Sequence, residues 1–134
     1  MDDNLVQRVR RRADFSCEYC RLPETYSPLA FEIDHIIARK HRGATVVANL
    51  AFACFACNNH KGPNIAGIDP ASGNVTRLFH PRRHKWSRHF RWDGPILVGR
   101  TPIGRVTITV LEINLPYRVA FRRSLMKESV FPPE

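Results

Sequence analysis

All four cysteines of the chain fall in two Cys-x-x-Cys pairs, Cys17-Glu-Tyr-Cys20 and Cys54-Phe-Ala-Cys57. No other feature restricts the fold as strongly. A Cys-x-x-Cys turn brings two thiolates to one tetrahedral ion, and two such turns complete a closed four-thiolate site suited to structural Zn²⁺. The competing readings are two redox motifs or four unrelated buried cysteines. Structural disulfides are disfavoured. The chain opens Met-Asp-Asp-Asn, acidic where a secretory signal is basic, with no apolar run behind it, and the cytosol keeps thiols reduced. The 33 residues between the pairs are long for a simple ribbon, so a folded element is expected between the knuckles. Zinc held by four thiolates has no open position, so this site would be structural and the chemistry must lie elsewhere.

Between the knuckles, Ala30 to Ile37 reads as a strand: Phe31, Ile33, Ile36 and Ile37 are aromatic or β-branched, with Pro28 upstream and a polar loop downstream. Asp34-His35 sits in its middle. A polar pair there is costly if buried and calls for a reason. A loop, Arg39-Lys40-His41-Arg42-Gly43, is followed by Asn49-Leu50 and a short apolar run to Cys54. A helix is then expected around Cys57-Asn58-Asn59-His60-Lys61, stopped by Gly62-Pro63.

The ordered set Cys-x-x-Cys, Asp-His, Asn-Leu and Cys-x-x-Cys-Asn-x-x-Lys, over about residues 15–62, resembles the HNH endonuclease family. The tail, through Gly62 to Pro70 and Trp86 to Arg105, resembles the C-terminal extension of small stand-alone bacterial members. The resemblance implies a ββα-metal core, often clamped by zinc, that hydrolyses DNA phosphodiester bonds. It implies that His35 is the general base, a role that suits histidine because its ordinary pKa is about 6.5. It implies that Asp34 and Asn58 hold one catalytic divalent ion, and that Asn49 bonds across the loop to keep His35 in position. Here Asn58 stands in place of the third letter's His. His60 is a weaker candidate, about 200° around the helix from Asn58. Two hard oxygen ligands suit Mg²⁺ or Mn²⁺. Arg39 is a candidate contact for the scissile phosphate, or a solvated loop residue. A non-catalytic zinc-dependent nucleic-acid-binding protein is the alternative.

Charge points the same way. The net formal charge is +9, but residues 1–62 carry +2 and residues 63–134 carry +7. No acidic residue lies between Asp69 and Asp93, a window holding Arg82, Arg83, Lys85, Arg88 and Arg91 interleaved with Trp86, Phe90 and Trp92. The cations are candidates for nucleic-acid phosphates, and the aromatics either stack on bases or anchor a core. Arg8 to Arg12, with Leu5 and Val9 at helical spacing, reads as an amphipathic helix with a solvated basic face. DNA is the expected partner, with RNA open as a substrate. The expected form is a monomer or weak homodimer.

The tail offers a turn at Gly73-Asn74, a strand from Val75 to Phe79, and a hairpin of Phe90 to Trp92 and Ile96 to Val98 around Asp93-Gly94. Thr101-Pro102 is a helix start, although Val106 to Val110 alternates as a strand does. The start signal and the resemblance favour helix. Asn114 is expected to cap a last helix, roughly Pro116 to Glu128, with Val119, Leu125 and Met126 inward and Arg118, Arg122 and Arg123 as its basic residues. Glu18 and Tyr19 read as spacers in the first knuckle. His41, His80, His84 and His89 read as surface or phosphate-facing residues. The most apolar stretch, Ala44 to Cys57, has 14 residues, short of the about 20 a membrane helix needs, so a cytoplasmic location is expected. The expected architecture is one α+β domain over 1–134: a zinc-clamped ββα-metal core at 15–62 and a basic extension at 63–134 with a β-hairpin and helices.

Overall fold

Short apolar runs alternate with polar turns along the whole chain. The computed structural model, which describes residues 1–133, resolves them into three two-stranded antiparallel sheets and five helices. Helix α1 (Asp3–Arg12) begins where the Asp2 carboxylate accepts the Asn4 N–H. Its buried Val9 faces the core. Its basic run is not purely solvated: Arg10 pairs with Glu24 at 2.8 Å, and Arg12 donates to the carbonyls of Val47 and Leu50.

Strands β1 (Glu32–His35) and β2 (Leu50–Ala53) pair with Glu32 opposite Ala53 and His35 opposite Leu50. β1 is shorter than the run expected from Ala30 to Ile37. All four β2 residues are buried, because α1 packs on β2 from the chain's start while β1 covers its edge. Helix α2 (Phe55–Lys61) follows at once. Cys54 is its N-cap, its sulfur accepting the Cys57 N–H at 3.4 Å, and Gly62 ends it. Two strands and a helix packed on β1 make the expected ββα unit.

In the extension, β3 (Ala66–Ile68) pairs with β4 (Val75–Arg77), short helix α3 (Trp86–His89) leads into β5 (Phe90–Asp93), and β5 pairs with β6 (Ile96–Gly99). Val106 to Val110 is helix α4 (Pro102–Val110), with Thr101 accepting the Gly104 N–H at 3.1 Å. Packing settles the ambiguity: α4 lies on β3, β4 and β6, and the Val106 and Thr107 side chains are buried together. Gly104 is where α4 meets α3, since a Cβ there would stand 2.0 Å from the His89 carbonyl oxygen. Asp69, fully buried, accepts two bonds from Arg105 at 2.9 Å each and ties the β3–β4 turn to α4. The Arg105 bonds hold the Asp69 carboxyl well below the usual range. Helix α5 (Pro116–Lys127) ends the described elements. Asn114 does not cap it. Its amide is spent on the Leu97 backbone, accepting the N–H at 3.0 Å and donating to the carbonyl at 2.8 Å. No helix of the described residues is long and apolar enough to cross a membrane.

The interleaved aromatics form a core. Trp86 stacks on Phe90 and Trp92 with ring centroids 5.1 and 6.0 Å apart, and Trp92 meets Phe131 at 5.1 Å. The Trp86 indole donates to the Tyr19 carbonyl at 2.9 Å, which fastens the extension to the first knuckle. His80 and His89 are buried rather than on the surface; His84 and His89 pack against Phe79, and His80 packs against His84. His80 Nδ1 accepts the Arg82 N–H, and His84 Nδ1 accepts the His80 N–H. Both nitrogens must therefore be unprotonated. Burial, then the nearby Arg83 and Arg77, lowers His80 to about 4. Burial also lowers His84 and His89.

Between about pH 6.5 and 4 the unfolded chain binds protons that folded His80 refuses. Stability from this site is complete above pH 6.5 and declines as pH falls toward 4. Thermal unfolding across that window should show a falling Tm, and His80→Asn, which keeps an acceptor but cannot titrate there, should show a shallower fall. An identical pH slope in the two proteins would remove His80 as a cause.

Candidate functional site

The four cysteine sulfurs lie within 4.8 Å of one another, and all four residues are buried. Each knuckle closes on itself, with the Cys20 N–H on Cys17 Sγ and the Cys57 N–H on Cys54 Sγ, both at 3.4 Å. Four converging soft donors with no carboxylate or imidazole among them fit one closed tetrahedral ion, and zinc suits that set. The residues between Cys17 and Cys20 are not spacers. Glu18 accepts the Phe52 N–H at 2.8 Å and pairs with Arg82. Tyr19, fully buried, donates its hydroxyl to Asp34 Oδ2 at 2.6 Å.

That last bond changes the expectation for Asp34. The residue is 4% exposed, and its carboxylate faces inward. Oδ2 is taken by Tyr19, and Oδ1 by the Lys61 ammonium at 3.2 Å. Lys61, 1% exposed, also donates to the carbonyls of His35 and Ile36 at 3.1 Å each. One buried ammonium thus fastens α2 to the end of β1. Burial pushes the Asp34 carboxyl up, against Lys61 and Tyr19, which pull it down. Burial, and next the neighbouring Asp34, raises the Tyr19 hydroxyl. The polar residue in mid-strand is satisfied by the core, and it is not an open carboxylate at the surface.

His35 points elsewhere, since successive strand residues face opposite sides. It is half-buried, and its Nε2 lies 2.9 Å from Thr45 Oγ1. The loop after it is pinned by Asn49. Asn49 Oδ1 accepts the Ile37 N–H at 2.9 Å, while Nδ2 donates to the Ile37 carbonyl at 3.0 Å and the Ala44 carbonyl at 2.9 Å. Both ends of the Ile37–Ala44 loop are therefore fixed by one amide. Gly43 permits this closure: a Cβ there would fall 1.6 Å from the Ile37 carbonyl oxygen and 2.9 Å from Asn49 Nδ2. Fixing Ala44 also places Thr45 against the imidazole.

Asn58 sits on α2, one turn before Lys61, and its Nδ2 donates to Glu32 Oε2 at 2.7 Å. No hydrogen bond joins Asn58 to Asp34 among the described residues. His60 is half-buried on α2 and shares no hydrogen bond with Asn58, Asp34 or His35 among the described residues. Arg39 is exposed in the loop after β1. Of the basic cluster, Arg83, Lys85, Arg88 and Arg91 are exposed, whereas Arg82 is neutralised by Glu18. Sequence reasoning missed the roles of Lys61, Tyr19 and Thr45. Lys61 belongs to the Cys-Asn-x-x-Lys motif, but a lysine just before a helix-ending Gly-Pro carries no burial signal. Tyr19 and Thr45 gave no signal at all.

Lys61→Met leaves the Asp34 charge buried without its cation and should cost about 3–5 kcal/mol in denaturant unfolding at neutral pH. Adding Asp34→Asn should recover part of that loss, since the pair is coupled. Strictly additive losses would mean that the two groups do not interact. For the cysteine cluster, elemental analysis of the purified protein should find one zinc per chain, and Cys57→Ser should abolish it. Chelation should lower the Tm of the wild type.

Residues 17–64 match the family model for HNH endonuclease. No curated protein matches the chain, and no solved structure does. The match begins at the first knuckle cysteine and ends just past α2, so it spans the ββα unit, the pinned loop and all four sulfurs. Residues 17–64 are thus similar to the HNH endonuclease family over the ββα unit, together with four cysteines placed to hold one metal ion.

Proposed function

We propose that this protein is an endonuclease that hydrolyses DNA phosphodiester bonds, with His35 as general base. The observation that carries the reading is the seating of His35. Its imidazole lies at the end of β1 beside a loop that Asn49 pins at both ends, and Thr45 engages Nε2. In the tautomer that donates Nε2–H to Thr45, Nδ1 is the basic nitrogen, and it has no protein partner among the described residues. A water on Nδ1 would lose its proton to the ring as its oxygen bonds to phosphorus. The bond from phosphorus to the 3′ oxygen then breaks, and that oxygen takes a proton from solvent, leaving a 5′ phosphate and a 3′ hydroxyl. The exposed Arg39, Lys40 and Arg42 of the loop bring positive charge to the phosphate.

A divalent ion such as Mg²⁺ or Mn²⁺ supplies Lewis-acid stabilisation of the phosphate when bound. The ligands implied by the family resemblance, Asp34 and Asn58, do not fit one as arranged, since Tyr19 and Lys61 hold both Asp34 oxygens. Arg83, Lys85, Arg88 and Arg91 would grip the backbone outside the cleavage site, and Arg82 would not.

A plasmid-nicking assay in Mg²⁺ or Mn²⁺ tests the reading. Wild type should nick, and His35→Ala should be slower by roughly 10²–10⁴-fold with DNA binding retained. Equal rates with binding intact would instead favour the non-catalytic zinc-dependent binding protein. Thr45→Val should slow cleavage without changing DNA affinity. A parallel RNA substrate decides between the nucleic acids. In the salt dependence of DNA binding, alanine at Arg83, Lys85 or Arg88 should each lower the log–log slope by about 0.9. Arg82→Ala should affect stability and leave the slope alone.

A further inference from the structure

Arg118 is an anomaly in α5. It is 6% exposed, yet no carboxylate of the described residues lies within ion-pair distance. One nitrogen, Nη1, donates to the carbonyls of Leu111 and Glu112 at 2.9 and 3.1 Å. The other, Nη2, lies 3.0 Å from Cys57 Sγ and 3.8 Å from Cys54 Sγ. Arg122, also buried, donates to the Pro95 and Ile113 carbonyls and to Asn114, again with no carboxylate partner. It lines the same cleft as Cys20, Cys54 and Arg118.

A buried guanidinium needs a counter-anion, and among the described residues the anionic candidates for these two are the cysteine sulfurs. Four neutral thiols supply none. Four thiolates around a dication carry two negative charges, which two guanidinium groups balance. We propose that Arg118 and Arg122 belong to the metal centre as its counter-charges, with Arg118 as a direct positioning donor to the Cys57 and Cys54 thiolates. Metal loading of the 17–64 domain thereby seats the C-terminal helix, which contributes no ligand of its own. The bonds from Nη2 to sulfur lower the electron density on the thiolates and hold them in place. The two carbonyls on Nη1 join the α4–α5 turn to the same point.

The inference stands apart from any cleavage activity, and its test reads the metal. The full chain is loaded with Zn²⁺, and its release is followed with a chromophoric chelator. Arg118→Gln and Arg118→Met should release zinc ~10–100-fold faster than wild type. Arg118→Lys, which keeps the charge and loses the fork, should fall between. Arg123→Gln, an exposed arginine on the same helix, should behave as wild type. In the Co²⁺-loaded protein, the thiolate-to-metal charge-transfer band should shift in Arg118→Gln and not in Arg123→Gln. Hydrogen exchange over residues 116–127 should be faster in Arg118→Lys than in wild type while zinc remains bound. If Arg118→Gln does not accumulate as folded protein, Arg118→Lys decides by the same three readouts. Wild-type release and an unshifted cobalt band in the tested Arg118 variant would overturn the proposal and leave Arg118 a packing residue only.

Discussion

Four sulfurs drawn within 4.8 Å of one another are the constraint on which the rest of the molecule depends. The two knuckles that supply them sit 33 residues apart in the chain, and each also delivers a neighbour to the site. The first knuckle presents Tyr19, which orients Asp34, and Glu18, which holds both β2 and Arg82. The second is the N-cap of α2, the helix that carries Asn58 and Lys61. Bringing the sulfurs together therefore places the two faces of the ββα unit at once. A domain this small buries little apolar surface, and a clamp of this kind takes the place of a larger core.

Much of the positive charge is spent inside. Lys61, Arg105, Arg118 and Arg122 each satisfy buried carbonyls, a carboxylate or sulfur, and Arg82 answers Glu18. An overall charge of +9 accordingly overstates what the surface offers to a polyanion. The cations left outside in the segment 82–91 are Arg83, Lys85, Arg88 and Arg91, beside those of the loop after β1. The aromatics between them face inward and build the wall that joins the extension to the first knuckle. Grip and scaffold thus alternate along one stretch of chain.

The His35 region shows a similar division of labour. Lys61 fixes the backbone at the end of β1 from below, through the His35 and Ile36 carbonyls. Asn49 fixes the loop from the side, through Ile37 and Ala44. The imidazole is held between two restraints that do not touch the ring itself, with Thr45 hydrogen-bonded to its Nε2. Preorganisation of this kind comes from backbone bonds, which tolerate little drift.

Features governed by neighbours in sequence were legible. The knuckles, the β5–β6 hairpin around Gly94, the Thr101-Pro102 start of α4 and the Gly62 stop of α2 all follow from local rules of turn, cap and spacing. The order of motifs likewise sufficed to find the family. What the sequence alone could not decide was which way a polar side chain faces. Asp34 turns to Tyr19, 15 residues away, and to Lys61, 27 away. Arg82 reaches Glu18 across 64 residues, and Arg118 reaches Cys57 across 61. The sequence by itself determined the four-cysteine cluster and the ββα segment, because these rest on residue type and short spacing. Only the tertiary structure decided that Asp34 is internal, that Asn114 is no cap, and that the buried Arg118 lies against the cysteine sulfurs. A buried charge finds its partner through space, and nothing in the local chain records where that partner will be.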